Sequence, residues 1–84
     1  MRVHFTDQFR KRLKRITKKN PQIAIQVNKK IKLLQKDIKH PSLHVHKLSG
    51  QSNWALYVNK SIRIIFHVDR DIFLMDVGTH DEVY

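Results

Sequence analysis

The spacing of apolar residues divides the first half of the chain into two amphipathic segments. Phe9, Leu13 and Ile16 are spaced four and three residues apart, which predicts a helix that Thr6 caps and that ends at about Lys19. A second run of apolar residues, spaced four, four, three and four apart, predicts a helix from about Pro21 to Ile38. Its members are Ile23, Val27, Ile31, Leu34 and Ile38. Proline suits the start of this second helix because its missing N–H needs no partner there.

The remaining segments alternate between apolar and polar residues or form short apolar runs, which is typical of strands. The predicted strands are residues 2–5, 43–48, 54–58, 62–68 and 72–77. A tight turn at Asp69, Arg70 and Asp71 joins the last two. Gly78 then breaks the extended run and leads into a short polar end.

This order of elements, β-α-α-β-β-β-β, predicts an α+β fold. Neither helix has an apolar stripe wide enough to bury itself, so we expect a helical hairpin packed on one face of a twisted antiparallel sheet. Residues 1–84 show no linker or repeat and are interpreted as one domain. The predicted core contains Leu13, Ile16, Val27, Ile31, Leu34, Ile64, Phe66 and Leu74.

The charge of the chain is strongly positive and unevenly distributed. There are 17 lysine and arginine residues against 7 aspartate and glutamate residues, for a formal net charge of +10. Residues 1–48 carry 14 of the basic side chains and only 2 of the acidic ones. This pattern favours a nucleic acid or an acidic protein as the partner, although a solvated lysine-rich helix face would have the same composition.

Several classes of protein are disfavoured by composition. The chain has no cysteine, so no disulfide framework or thiolate metal site is expected. It has no signal peptide and no long apolar stretch, which predicts a cytoplasmic protein without a membrane partner. Six histidines are present, but none lies in a predicted helix and no cysteine accompanies them, so neither a metal site nor another cofactor is predicted.

An ordered set of short motifs resembles the RelE/ParE superfamily of bacterial toxins. The motifs are the leading strand, the basic helical hairpin, HKLSG at residues 46–50, IRIIF at residues 62–66 and the ending GTHDEVY. The resemblance spans nearly the whole chain and is strongest to the YoeB and YafQ branches. It implies the toxin of a type II toxin–antitoxin system, a ribosome-dependent mRNA endoribonuclease that inhibits translation. It also implies a cognate antitoxin, the ribosome and mRNA as partners.

The resemblance also implies roles for four residues. Arg63 corresponds to the arginine that contacts the scissile phosphate, His80 to the catalytic histidine, and Tyr84 to a terminal aromatic that orients the substrate base. His46 matches the histidine that opens the HKL-type motif. Where the YafQ branch has a further histidine and an aspartate, this chain has Tyr57 and Ser61.

These residue types suit RNA cleavage by the 2′-hydroxyl, which needs a base, an acid and a fixed positive charge on the phosphate. Histidine transfers protons near neutral pH, and the planar arginine fork binds two phosphate oxygens. For phosphate contacts outside the site we predict basic side chains of the first helix and one lysine of the HKLSG motif. These are Arg10, Lys11, Lys14, Arg15, Lys18 and Lys47.

Other interpretations of the same residues stay open at this point. Arg63 could form an ion pair with Asp76 or Asp81, and each histidine could be a surface residue. The whole chain could be a non-catalytic gyrase inhibitor of the ParE type, a degenerate toxin that only binds, or a small RNA-binding domain.

Overall fold

A computed structural model describes residues 1–50 and 52–84 of the chain. The elements are β1 (Val3–Phe5), α1 (Asp7–Lys19), α2 (Gln22–Lys36), a single 3-10 turn (Pro41–Leu43), β2 (His46–Lys47), β3 (Trp54–Tyr57), β4 (Ile62–Asp69), β5 (Asp71–Thr79) and α3 (His80–Val83). The predicted α+β fold, with a strand, a helical hairpin and then a series of strands, is confirmed.

The five strands form one sheet in the order β1-β5-β4-β3-β2. Strands β2 to β5 are antiparallel neighbours, as predicted. The first strand joins the far side of β5 in parallel, with Val3 opposite Ile72 and Phe5 opposite Leu74. The sheet is therefore mixed, and β5 lies between the first strand and β4.

One face of the sheet packs against the helical hairpin and forms the core. Its fully buried members include Val27 and Leu34 from α2 and Ile64, Phe66 and Leu74 from β4 and β5. Each lies at a position predicted to be in the core, because the helical and strand periods direct all of them to this interface.

The hairpin also departs from the prediction in two respects. Leu13 and Ile16 pack on the core but stay partly exposed, whereas Phe9 of the same stripe is completely buried. The second helix ends at Lys36 rather than at Ile38, because Asp37 leaves the helical conformation.

The strand predicted at residues 43–48 is present but shorter than predicted, because Leu43 and His44 are not extended. His40 accepts a hydrogen bond at Nδ1 from the Ser42 N–H (3.2 Å), and Pro41 begins the 3-10 turn. His44 then adopts a left-handed conformation with φ of 47°. Capping and the fixed proline φ outweigh the short alternating pattern, so only His46 and Lys47 pair with β3.

The end of the chain is more ordered than the predicted polar tail. The last strand continues through Gly78 to Thr79, and residues 80–83 form a helical turn, α3. The opposite face of the sheet, which we call the open face, is covered by no helical layer from the described residues, and α3 folds back at its edge. None of the helices in residues 1–50 and 52–84 is long and apolar enough to cross a membrane.

Candidate active site

Two histidines and a tyrosine meet at the edge of the open face. The Tyr84 hydroxyl lies 3.1 Å from Nε2 of His46, and the two rings are edge to face with centroids 6.1 Å apart. On the other side the Tyr84 ring contacts His80, with centroids 4.2 Å apart. The structure thus brings together three of the four predicted catalytic side chains, from β2 and from α3.

The α3 turn holds His80 and Tyr84 in place through its own capping interactions. The Thr79 hydroxyl accepts a hydrogen bond from the Glu82 N–H, and the Glu82 carboxylate accepts one from the Thr79 N–H at 2.9 Å. This capping box closes the turn at its start. At its end the Tyr84 N–H donates to the carbonyl of His80 at 3.0 Å.

Gly78 allows the turn to lie close against the strand that precedes it. A Cβ atom at this position would lie 2.9 Å from the Glu82 Oε1 and 3.3 Å from a methyl group of Val83. Both distances are shorter than ordinary van der Waals contacts. The requirement for glycine is therefore one of space, because the turn occupies the volume that a side chain would need.

Two arginines of the first helix fasten this turn to the rest of the fold. Arg15 pairs with the Glu82 carboxylate at 2.7 Å. Arg12 donates to the Glu82 carbonyl at 3.3 Å and pairs through Nε with Asp76 at 3.2 Å. The same glutamate therefore caps the turn and ties it to α1.

Arg63 lies on the open face between two cross-strand neighbours, Tyr57 and Gly78. Its guanidinium lies over the Tyr57 ring, with Cζ 4.8 Å from the centroid. Nη1 donates to the carbonyls of Asn59 and, at 3.1 Å, of Ile62. Among the described residues Nη2 and Nε make no hydrogen bond, so one side of the guanidinium remains available to a ligand.

The alternative in which Arg63 forms an ion pair is not what the structure shows. Asp76 is engaged by Arg12, and the Asp81 carboxylate lies 3.7 Å from Nδ1 of its neighbour His80. Among the described residues Arg63 has no carboxylate within ion-pair distance. Carbonyl oxygens orient the cation without neutralising it, so its charge is retained for an anion.

Burial raises the pKa of the Tyr84 phenol, and the positive charge of Arg63 opposes that rise. The opposing effect means that the guanidinium is within electrostatic range of the phenol. Since the pKa lies above its ordinary value of 10.0, Tyr84 is a neutral hydroxyl at physiological pH and can donate a hydrogen bond.

The hydrogen bonds of His46 indicate its tautomer. Nδ1 lies 3.2 Å from the carbonyl oxygen of His44, and a carbonyl oxygen can only accept. The neutral ring therefore carries its proton on Nδ1, which leaves the Nε2 lone pair to accept from Tyr84. A histidine in this tautomer, with Nε2 facing the site, can accept a proton there.

The candidate phosphate-binding residues are distributed over several surfaces. Lys11, Arg15 and Lys18 share one exposed stripe of α1, and Arg15 connects that stripe to α3. Arg10 instead donates through Nε to the carbonyl of Phe5. Lys14 is exposed beside the Phe5 side of α1 and Lys47 lies over the Trp54 ring.

Sequence reasoning overlooked the residues that support the site. Tyr57 and Asn59 hold Arg63, and Arg12 and Glu82 hold α3. One signal was present, because Thr79 and Glu82 have the spacing of a capping box. The stacking of Arg63 on Tyr57 depends on strand register, for which the sequence carries no separate motif.

Comparison with known proteins identifies the family of the chain. The whole chain, residues 1–84, matches the family described as "Bacterial toxin of type II toxin-antitoxin system, YafQ". By sequence alone the chain matches no curated protein.

Several solved structures share the fold at low sequence identity. YafQ from E. coli strain BL21(DE3) superimposes with a TM-score of 0.83 at 17% identity, over 100% of this chain and 99% of that one. A YoeB/ParE toxin from Agrobacterium tumefaciens has a TM-score of 0.82 at 11% identity, over 95% and 99% of the two chains. The E. coli DinJ-YafQ complex matches with a TM-score of 0.76 at 19% identity, over 100% of this chain and 99% of that one. On the match over its full length, the chain belongs to the YafQ family of bacterial type II toxins.

Proposed function

We propose that this toxin is an endoribonuclease that cleaves mRNA on the ribosome, and that Arg63, His46, His80 and Tyr84 form its active site. The observation that carries the proposal is the position of the Tyr84 phenol, which is hydrogen-bonded to His46, contacts His80 and lies within electrostatic range of Arg63. A phosphate held by that arginine would have a proton acceptor and a proton donor beside it.

In the proposed reaction the RNA 2′-hydroxyl attacks the adjacent phosphorus. His46 takes the hydroxyl proton at Nε2 while the new P–O bond forms, and His80 gives a proton to the departing 5′-oxygen as its bond to phosphorus breaks. The products are a 2′,3′-cyclic phosphate and a 5′-hydroxyl. Arg63 stabilises the charge that builds up on the phosphoryl oxygens, which makes a metal ion unnecessary.

Two contacts support these roles. The Asp81 carboxylate lies 3.7 Å from Nδ1 of His80 and is a counter-ion for the protonated ring that an acid requires. The neutral Tyr84 hydroxyl can orient the substrate base by stacking or donate a hydrogen bond to the phosphate. Tyr57, which lies under the guanidinium, limits the positions that Arg63 can adopt.

We further propose a cognate antitoxin, the ribosome and mRNA as partners. The E. coli YafQ toxin of the same fold is known in complex with DinJ. The net charge of +10 and the exposed stripe formed by Lys11, Arg15 and Lys18 favour RNA phosphates and an acidic antitoxin segment.

The proposal is tested with His80→Ala and Arg63→Ala. Removing a positioned proton-transfer group lowers a rate by about 10²- to 10⁴-fold, so His80→Ala should relieve growth inhibition and stop mRNA cleavage on translating ribosomes. Retained binding of the antitoxin serves as the control for folding. If both variants stay fully toxic, the nuclease proposal fails and inhibition of gyrase, or binding alone, takes its place.

A further inference from the structure

We propose that the open face carries a second RNA contact, a row of three rings that stacks one unpaired nucleobase at a distance from the cleavage site. The rings belong to His4, Phe73 and His67, and we call them the aromatic row. This inference rests on the proposed function, since it assigns the row to the same single-stranded RNA, and it adds a binding site that the catalytic residues do not include.

The aromatic row crosses three neighbouring strands at one level of the sheet. His4 of β1 pairs with Phe73 of β5, and Phe73 pairs with His67 of β4. Because the adjacent residues Ile72 and Leu74 face the core, the three rings project from the open face. The His4 and Phe73 rings are stacked, with centroids 4.8 Å apart and an interplanar angle of 16°. His67 follows, with its centroid 6.5 Å from that of Phe73.

Hydrogen bonds fix the ring at the outer end of the row. Nε2 of His4 lies 2.8 Å from a carboxylate oxygen of Asp71, and the Arg2 N–H donates to the other oxygen at 3.3 Å. The hydrogen bond from His4 is the main cause that lowers the pKa of Asp71, so the carboxylate is ionised at neutral pH. A ring held in this way loses little further freedom when it binds a ligand.

The outer face of the row is accessible. β1 is an edge strand, so one face of the His4 imidazole lies against Phe73 and the other has no neighbouring strand. The side chain is 44% exposed. A planar base placed on that side would continue the stack that His4 and Phe73 have begun.

The row shares its face and one of its strands with the candidate active site. Arg63 and His67 both project from the open face of β4, four residues apart, which corresponds to about 13 Å along the strand. Arg2 precedes His4 by two residues, Arg70 lies in the turn that joins β4 to β5, and both side chains are exposed. Aromatic rings beside positive charges are the usual means of binding single-stranded nucleic acid without sequence preference.

A purely structural role for these residues makes a different prediction. The His4–Asp71 contact alone would fasten β1 to β5, and that function does not need an aromatic face at residue 73. His4→Leu removes the ring against which the base would stack, and Phe73→Leu removes the ring behind it while keeping an apolar side chain at this position. Phe5→Leu is the matched control, because Phe5 is a strand phenylalanine of β1 that alternates with His4 and contacts Phe9 of α1 instead.

The experiment measures binding of the toxin to two probes at fixed low salt. One is a short oligoadenylate whose 2′-O-methyl groups remove the attacking hydroxyl, and the other is an abasic phosphodiester chain of the same length. The ratio of the two affinities isolates the contribution of the bases. One stacked base contributes about 5- to 150-fold, so His4→Leu, which removes the ring that the base would contact, should reduce the ratio by that factor, whereas Phe5→Leu should leave it unchanged.

An unchanged ratio in a folded His4→Leu protein would overturn the inference. Should that variant fail to fold, Phe73→Leu takes its place, with a smaller reduction expected because it removes only the ring behind His4. The result is independent of the cleavage test. If the ratio falls in the ring variant but the wild-type toxin does not cleave mRNA, only the proposed chemistry is refuted. If the wild-type toxin cleaves mRNA but the ratio is unchanged in the ring variant, only the aromatic row is refuted.

Discussion

Replacement of Gly78 by alanine tests whether the close approach of α3 to β5 positions the proposed catalytic groups. The added methyl group would lie 2.9 Å from the Glu82 Oε1 and 3.2 Å from its Cβ. That carboxylate is held in place, since it accepts a hydrogen bond from the Thr79 N–H and pairs with Arg15. The turn must therefore move outward by a few tenths of an ångström, and it carries His80 and Tyr84 with it.

The expected effects on stability and on activity differ in size. Weakening a helix cap costs about 0.5–2 kcal/mol, and alanine in place of glycine within a strand returns about 0.5–1 kcal/mol. The net change in the free energy of unfolding should therefore lie between a gain of about 0.5 kcal/mol and a loss of about 1.5 kcal/mol. A displacement of about 1 Å can cost about a hundredfold in rate, so a shift of a few tenths of an ångström should lower mRNA cleavage by about two- to sixfold.

Gly50→Ala is the matched control for this substitution. Gly50 has open space around its Cβ position but a φ of +71°, a conformation that costs alanine about 1 kcal/mol. It should lose stability in urea unfolding while its cleavage rate in a purified translation system stays unchanged. If Gly78→Ala cleaves at the wild-type rate, the close packing of α3 does not position the site.

Two further results are expected. The hydrogen bond from the Thr79 N–H lowers the folded-state pKa of Glu82 below its ordinary value of 4.5. The stability that this carboxylate contributes is lost as the pH falls below 4.5, so wild-type stability should fall more than that of Glu82→Gln. Urea unfolding from about pH 6 to about pH 3 measures the difference, and parallel curves for the two proteins would contradict the prediction. Charge reversal at Lys11 and Lys18 should weaken ribosome association and lower its salt dependence more than charge reversal at Lys32 and Lys36 on α2. Equal effects of the two double substitutions would argue against a localised RNA-binding stripe on α1.

The parts of the fold that could be predicted from the sequence are those determined by residues close together in the chain. The helical hairpin was predictable because the spacing of Val27, Ile31 and Leu34 has only one compatible period. The residues at 43–48 have an alternating pattern too short to outweigh the capping of His40 and the fixed φ of Pro41. Parallel pairing of β1 with β5 joins residues nearly seventy positions apart, and no local pattern encodes it.

The same distinction applies to the candidate site. Resemblance indicated the candidate catalytic residues, but the supports of Arg63 come from strand register and from carbonyls of the turn at Asn59. The ion pair between Arg12 and Asp76 links a helix to a distant strand. Such contacts depend on the finished tertiary structure, so sequence patterns could predict the chemical groups of the site but not what holds them.

The position of β5 between β1 and β4 also determines when the sheet can be completed during synthesis. The first strand is made before the other elements, but its partner in the sheet is the last strand. Pairing of such distant segments is slow and requires both to have left the ribosome. Because β5 also leads directly into α3, the sheet and the candidate active site are completed together, and a nascent chain that still lacks β5 has neither.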